Sequence, residues 1–158
     1  MLIALRPALP EDFEYCRRLY FAGMSGIMKE LNLDAAAQAV SFPQQWAPSE
    51  VRIITLDDSA VGWLQSRTRE DGFFVAQLFV DTPFQGRGIG SEVMHRLIGE
   101  AAEVGQPVRL SVVKINPALR LYKRLGFRIT HEDERKFYMK RDPDMAAPVP
   151  PDPSSEIQ

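Results

Sequence analysis

The chain has 158 residues, of which 45% are hydrophobic and 25% are charged, and its formal net charge is −2. This length suits one α/β or α+β domain rather than two, and the small negative charge argues against a nucleic-acid partner. A single cysteine, Cys16, excludes an internal disulfide and a metal site made of cysteines. No apolar run is long enough to span a membrane, so we expect a cytoplasmic protein with no metal and no membrane partner.

The first half of the chain alternates helical and β-rich patterns. Residues 2–8 (LIALRPA) predict a short strand, and residues 10–24 predict a helix with acidic residues in its first turn. Residues 24–42 form a second helical region that is interrupted near Asn32, where Asp34 can cap a new helix. Two β-rich runs within residues 51–70 flank a polar turn at 57–59 and predict a hairpin.

The second half continues with a strand at 73–82, an amphipathic helix at 91–105 and a strand at 108–114. Residues 116–126 predict a helix with Asn116 as its N-cap, Pro117 at its first position and Gly126 past its end. Residues 127–141 predict a terminal hairpin. We therefore place one domain at residues 1–141. Residues 142–158 are rich in proline and poor in large apolar groups, and they predict a flexible C-terminal tail.

A glycine-rich loop (QGRGIG, residues 85–90) joins a predicted strand to a predicted helix. It lacks the lysine and the spacing of a nucleotide-binding P-loop, and only two of its glycines fit the dinucleotide fingerprint. Glycines at the start of a helix let free backbone N–H groups approach a large anion, and the helix dipole and Arg87 add attraction. The loop therefore indicates either a pyrophosphate site or a tight turn that uses glycine only for its geometry.

A second motif decides between these alternatives. The loop QGRGIG together with the segment NPALRLYKRLGF, residues 116–127, resembles the GCN5-related N-acetyltransferase (GNAT) superfamily. The resemblance extends over roughly residues 2–141, although its sharp motifs lie within 73–127. It implies an α+β fold with a mixed, mostly antiparallel sheet flanked by helices, and acetyl-CoA as the co-substrate.

The resemblance also implies roles for individual residues. In the family, the strand before the loop offers its backbone to the pantetheine arm as an added strand would, which here implicates Leu78, Phe79 and Val80. The pyrophosphate would bind a loop flanked by Gln85 and Arg87, and the backbone groups implicated are those of Gly86, Gly88, Ile89, Gly90 and Ser91.

Two residues of the second motif have alternative roles. Tyr122 matches the family tyrosine that protonates the departing thiolate as a general acid, but its place on an apolar helix face also suits a core residue. Asn116 lies six residues before Tyr122, whereas many members have a spacing of seven. It therefore either contacts the coenzyme or only caps the helix.

The implied reaction is direct transfer of acetyl from acetyl-CoA to a primary amine of a small molecule or a peptide. Gln77 stands where many members have a glutamate that acts as the general base, and an amide cannot take this role. Asp81, Glu30 or a water relay is left as the general base. An alternative function is a non-catalytic module that binds acyl-CoA. A set of apolar and aromatic residues could line an acceptor pocket, but core positions or a homodimer surface suit them better: Tyr20, Met24, Met28, Trp46 and Trp63.

Overall fold

The computed structural model describes residues 2–143, which contain seven strands and four α-helices. The strands are β1 Ile3–Pro7, β2 Val51–Leu56, β3 Ser59–Arg69, β4 Gly72–Val80, β5 Val108–Val113, β6 Arg128–Glu132 and β7 Lys136–Arg141. The helices are α1 Phe13–Glu30, α2 Ala35–Gln45, α3 Ile89–Glu103 and α4 Ala118–Arg124.

All seven strands join one mixed sheet in the order β1-β2-β3-β4-β5-β7-β6. Every neighbouring pair is antiparallel except β4 and β5, which are parallel. Parallel neighbours need a long crossover, and here the crossover contains the glycine loop and α3. The α+β fold with a mixed, mostly antiparallel sheet is thus confirmed.

Apolar side chains on the two faces of the sheet build two core clusters. The larger cluster packs one face of α3, including Val93, Met94 and Leu97, against sheet residues such as Leu64. The smaller cluster packs α1 and α2 against the other face, where Trp63 is fully buried. Because Trp63 and Leu64 are consecutive in β3, they point to opposite faces and contribute to different clusters.

Most of the predicted elements are present, with one difference in the first helix. We predicted a division at residue 24, but α1 continues through Met24 to Glu30, and the chain turns at Asn32 with a positive φ of 56°. Asp34 then caps α2, because its side chain accepts a hydrogen bond from the backbone N–H of Ala36 at 2.9 Å. Residues 144–158, most of the predicted tail, lie outside the described residues.

Strand β4 contains one residue more than its partner at a single position. Gln77 pairs with Gln65 and Val75 pairs with Ser66, so Ala76 is extra and forms a bulge. The bulge reverses the alternation of side chains along β4, and both Val75 and Leu78 consequently pack against the larger core cluster.

No helix among residues 2–143 is long and apolar enough to cross a membrane. The same residues contain no group of three or more histidine, cysteine or acidic side chains placed to hold a metal ion.

Candidate active site

The parallel strands β4 and β5 separate after a short paired segment. Phe73, Phe74 and Val75 are the β4 residues that pair with β5, and their last partner is Leu110. Beyond the bulge, β4 continues to Val80 with β3 on one side, and no strand from residues 2–143 lies on the other. The edge of β4 that contains the predicted pantetheine-binding residues is therefore open to a ligand in an extended conformation.

The glycine loop follows the open end of β4 after one turn of 3-10 helix at Thr82–Phe84. Gly86 and Gly88 have φ angles of 77° and 80°, a region that favours glycine, and Gly88 is the N-cap of α3. Within residues 2–143, the backbone N–H groups of Ile89, Gly90 and Ser91 have no acceptor. Such free N–H groups at the positive end of the helix dipole can hold an anion.

Two side chains flank this loop. The Nε2 group of Gln85 donates a hydrogen bond to the carbonyl oxygen of Val80 at 2.9 Å and so ties the loop to the end of β4. The guanidinium of Arg87 is exposed and lies 5.4 Å from the centre of the Phe84 ring. Arg87 is thus available to an anion in solution, while Gln85 holds the loop in place.

Three neighbouring clefts surround the loop and the open edge, and Gln85 lines all of them. The first, of about 240 Å³, lies between the loop and α4, where Leu121 and Arg124 form the opposite wall. The second, of about 370 Å³, lies along Leu78, Phe79 and Val80. The third, of about 680 Å³, lies between α1 and the segment before α4.

Glycines of α1 shape the wall of the second and third clefts. A Cβ atom on Gly23 would come within 2.7 Å of the Phe79 ring, so only glycine lets α1 approach β4 this closely. Gly26, one turn further along, also lines the largest cleft. These residues were not identified from the sequence, although two glycines three residues apart in an amphipathic helix indicate a packing or ligand-binding role.

Two carboxylates and one guanidinium face the second and third clefts. Asp81 and Arg18 line the second cleft, and Glu30 lines the third. The side chains of Asp81 and Glu30 have no hydrogen-bond or ion-pair partner within residues 2–143. Burial, with the charge of Asp81 as a smaller contribution, raises the pKa of Tyr15 to about 12. The clefts therefore offer unpaired acceptors to a ligand that carries a positive charge.

Tyr122 lies in the middle of α4 and is half-buried against the larger core cluster. Its ring centre is 5.8 Å from that of Phe127 in an edge-to-face arrangement. Its hydroxyl has no hydrogen-bond partner within the described residues, and burial raises its pKa to about 12. Tyr122 does not line any of the three clefts, whereas its neighbour Leu121 lines the one beside the loop.

Asn116 occupies the junction between β5 and α4. Its Oδ1 atom accepts a hydrogen bond from the backbone N–H of Ala118 at 2.9 Å, which is the contact of a helix cap. Asn116 also lines the second and third clefts. Capping and coenzyme contact are thus compatible at this residue.

The aromatic residues considered for the acceptor pocket are core residues. Tyr20, Met28, Trp46 and Trp63 are buried in the smaller cluster, and Met24 packs against it. The clefts are instead lined by residues with no strong signal in the sequence, which include Ile27, Thr82, Phe84, Ile115, Leu121 and Arg124.

Comparison of the sequence with family models agrees with this geometry. The model of the acetyltransferase (GNAT) domain matches residues 47–129, more than half of the chain. The chain therefore belongs to the GNAT acetyltransferase domain family, and its class is that of the acyltransferases. The resemblance found in the two sequence motifs is confirmed. Among curated proteins, no sequence matches this chain significantly.

Solved structures with the same fold include several acetyltransferases. The PaiA N-acetyltransferase from Thermoplasma acidophilum, in complex with coenzyme A, has a TM-score of 0.73 and 15% identity over 90% of this chain and 99% of its own. Ard1 from Thermoplasma volcanium has a TM-score of 0.65 and 24% identity, and the match covers 90% and 98% of the two chains. A ribosomal-protein alanine N-acetyltransferase from Escherichia coli has a TM-score of 0.55 and 22% identity, with 61% and 70% covered. At these identities the likeness shows the fold alone.

Proposed function

We propose that this protein is an N-acetyltransferase that transfers acetyl from acetyl-CoA directly to a primary amine. The observation that carries the proposal is the open edge of β4, which leads through one turn of 3-10 helix into a loop with free N–H donors at the start of α3. The T. acidophilum relative, which has the same fold, was solved with coenzyme A. That complex supports coenzyme A as the ligand of the site, and the alanine N-acetylation named for the E. coli relative supports an amine as the acceptor.

The residues present fit an acyl-CoA thioester. The backbone of Leu78, Phe79 and Val80 would bind the amides of the pantetheine arm as a neighbouring strand binds them. The N–H groups of residues 86–91 and the guanidinium of Arg87 would hold the pyrophosphate. Arg124, across the cleft beside the loop, offers a further positive charge to the phosphate-bearing end.

Tyr122 is proposed to act as the general acid. When the amine nitrogen bonds to the thioester carbon and the C–S bond breaks, the leaving thiolate needs a proton, which the Tyr122 hydroxyl would donate. This hydroxyl is protonated at neutral pH, as any tyrosine is, and burial raises its pKa further, to about 12. A backbone N–H of the open β4 edge would stabilise the negative charge that develops on the carbonyl oxygen.

The attacking amine must lose a proton, because an alkylamine is mostly protonated at neutral pH. Asp81 and Glu30 both line the clefts without partners. Either could accept this proton directly, or a water relay could carry it away. Asp81→Asn and Glu30→Gln distinguish these routes, since loss of the true base moves the acidic limb of the pH–rate profile, whereas a relay leaves it in place.

The first test is thermal unfolding in the presence of acetyl-CoA, free CoA, or ATP. A ligand at 100 times its Kd adds about 2.7 kcal/mol to the free energy of unfolding, which for this chain length is a rise of roughly 5–10 °C in Tm. We expect both coenzymes to raise Tm and ATP to leave it unchanged. No rise with either coenzyme at millimolar concentration would refute the site.

The second test measures release of free thiol from acetyl-CoA over a panel of primary amines. We expect turnover, and we expect Tyr122→Phe to lower kcat by roughly 10²- to 10⁴-fold while the Kd for acetyl-CoA stays unchanged. Unchanged turnover in this variant would remove Tyr122 from the mechanism. If acetyl-CoA binds but no amine in the panel causes release of free thiol, the non-catalytic acyl-CoA module is favoured instead. The presence of Gln77 at the usual position of a base supports that alternative.

A further inference from the structure

A separate cavity of about 310 Å³ lies on the sheet, on the face directed away from α3. It shares no lining residue with the three clefts around the glycine loop. Strands β3 to β7 all contribute to it, with Arg69, Phe74, Arg109, Ser111, His131 and Tyr138 among the lining side chains. The backbone beneath the cavity belongs to one hydrogen-bonded sheet, and the side chains of Arg69 and His131 that line it are exposed.

Two arginine side chains line this cavity together with Phe74. The guanidinium of Arg69 stacks 4.1 Å from the ring centre, and it has no hydrogen-bond or ion-pair partner within residues 2–143. Arg109 is opposite Phe74 in the register of β4 and β5 and also lines the cavity. Stacking holds Arg69 by its face and leaves the N–H groups at its edge available.

Arg109 is only partly engaged by the protein. Its Nε group donates to the backbone oxygen of Asp71 at 2.9 Å and lies 3.3 Å from the Asp71 carboxylate. Its terminal amino groups have no partner among the described residues. Among residues 2–143, Asp71 is the one acidic residue that lines the cavity, and its charge is matched by Arg109. One guanidinium, that of Arg69, is therefore left without a counter-charge.

The opposite wall is a pair of parallel rings. The rings of His131 and Tyr138 stack with centres 4.3 Å apart and planes 2° apart. Each ring is held in place, since the Tyr138 hydroxyl donates to Asp133 at 2.9 Å and His131 Nδ1 lies 2.9 Å from the Thr130 hydroxyl. The Ser111 side chain, which is opposite Tyr138 in the strand register, also lines the cavity and has no partner among residues 2–143.

We propose that this cavity binds a small organic oxyanion, namely a carboxylate or phosphate attached to a flat ring. The edge of Arg69 and the terminal amino groups of Arg109 would hold the oxyanion through charge-assisted hydrogen bonds. The flat ring would lie against Phe74 or against the His131 and Tyr138 pair. The cavity volume is at the lower end of the usual range for ligand sites, which suits one ring and one anionic group.

The test is an amide NMR titration of the full chain with benzoate and phenyl phosphate. Acetate lacks the ring and benzylamine has the opposite charge, so both serve as control ligands. We expect saturable shifts at Phe74, Ser111 and Tyr138 with one or both aromatic anions and weaker or no binding of the controls. The aromatic anion that binds more tightly identifies the ligand as a carboxylate or a phosphate.

The variants Arg69→Gln and Arg109→Gln should each weaken the binding about tenfold or more, because each removes a charged donor. Arg96→Gln is the matched control, since Arg96 is on α3 and pairs with Glu92 at 3.1 Å outside the cavity. The amide spectra of the free variants establish that they are folded. The proposal fails if neither aromatic anion gives saturable shifts at millimolar concentration, if benzylamine binds as well as benzoate, or if both glutamine variants bind as the wild type does. These outcomes are independent of whether acetyl-CoA binds at the glycine loop.

Discussion

The contact between β3 and the open end of β4 can be tested with one methyl group. Gly62 in β3 is opposite Val80. A Cβ atom at position 62 would lie 2.3 Å from the backbone oxygen of Phe79 and 3.1 Å from the Cα atom of Val80. Both neighbours are backbone atoms, so rotation of a side chain cannot relieve the overlap. In Gly62→Ala the two strands must move apart locally.

The size of the effect follows from this geometry. Extra atoms in a well-packed interior cost about 1–3 kcal/mol, and separation of the strands also weakens neighbouring ladder hydrogen bonds that contribute about 1 kcal/mol each. We therefore expect Gly62→Ala to lower the free energy of unfolding by about 3 kcal/mol, after the smaller gain from a less flexible unfolded chain. For this chain length, the corresponding fall in Tm is about 6–12 °C.

The assay is thermal unfolding with and without acetyl-CoA. Because Gly62→Ala displaces Phe79 and Val80, we also expect acetyl-CoA to raise Tm less in the variant than in the wild type. Gly99→Ala is the matched control: Gly99 is inside α3, and a Cβ atom there would contact nothing within 4 Å. Its helix propensity should raise stability by up to about 1 kcal/mol. If Gly62→Ala melts at the wild-type temperature, the reasoning that β3 and β4 pack too closely at Gly62 for a methyl group is refuted.

Three further predictions concern the loop, the cap of α4 and the buried thiol. Gly88→Ala should lower the free energy of unfolding by about 1–2 kcal/mol, because φ is 80° there. Gly88→Asn should recover part of that loss, and equal melting temperatures of the two variants would contradict the role of the positive φ. Asn116→Ala should lower the free energy of unfolding by about 1 kcal/mol, as measured by thermal unfolding, and Asn116→Asp should leave it unchanged. Lower affinity for acetyl-CoA in the stable Asp variant would reveal a contact with the coenzyme, whereas unchanged affinity would mean that Asn116 only caps the helix. Burial raises the pKa of Cys16 from 9.0 to about 12, so its thiol stabilises the fold below pH 9 and that stability is lost as pH rises. The loss at pH 10 is about 1.4 kcal/mol, and Tm should fall less with pH in Cys16→Ala.

The elements and the glycine loop could be predicted because their signals are local. The apolar face of α3, the polar turn between β2 and β3, and the capping residues Asp34 and Asn116 each lie within a few residues of the structure they specify. The resemblance to the GNAT superfamily then supplied the mixed, mostly antiparallel character of the sheet, whereas the order of its strands was not predicted.

The clefts could not be predicted, because they depend on contacts between distant segments. The approach of α1 to β4 requires Gly23 to meet the Phe79 ring, 56 residues further along the chain. Arg124 and Gln85 face the same cleft only because α4 packs beside the start of α3. Periodicity placed Tyr122 on the apolar face of α4, and its burial agrees, but periodicity carries no information about a ligand.

The bulge at Ala76 makes the length of β4 more important than its composition at that point. A substitution at Ala76 leaves the number of residues unchanged, and we expect the separation of β4 from β5 to persist in such a variant. Deletion of Ala76 would place Val75 directly beside Gln77, and the two would then alternate as their partners Ser66 and Gln65 do. Val75 would keep its face, but the bend that a bulge introduces at the end of the pairing with β5 would be lost. Relatives of this chain should therefore vary the side chain at this position freely while they keep the extra residue, because the extra residue bends β4 where it leaves β5.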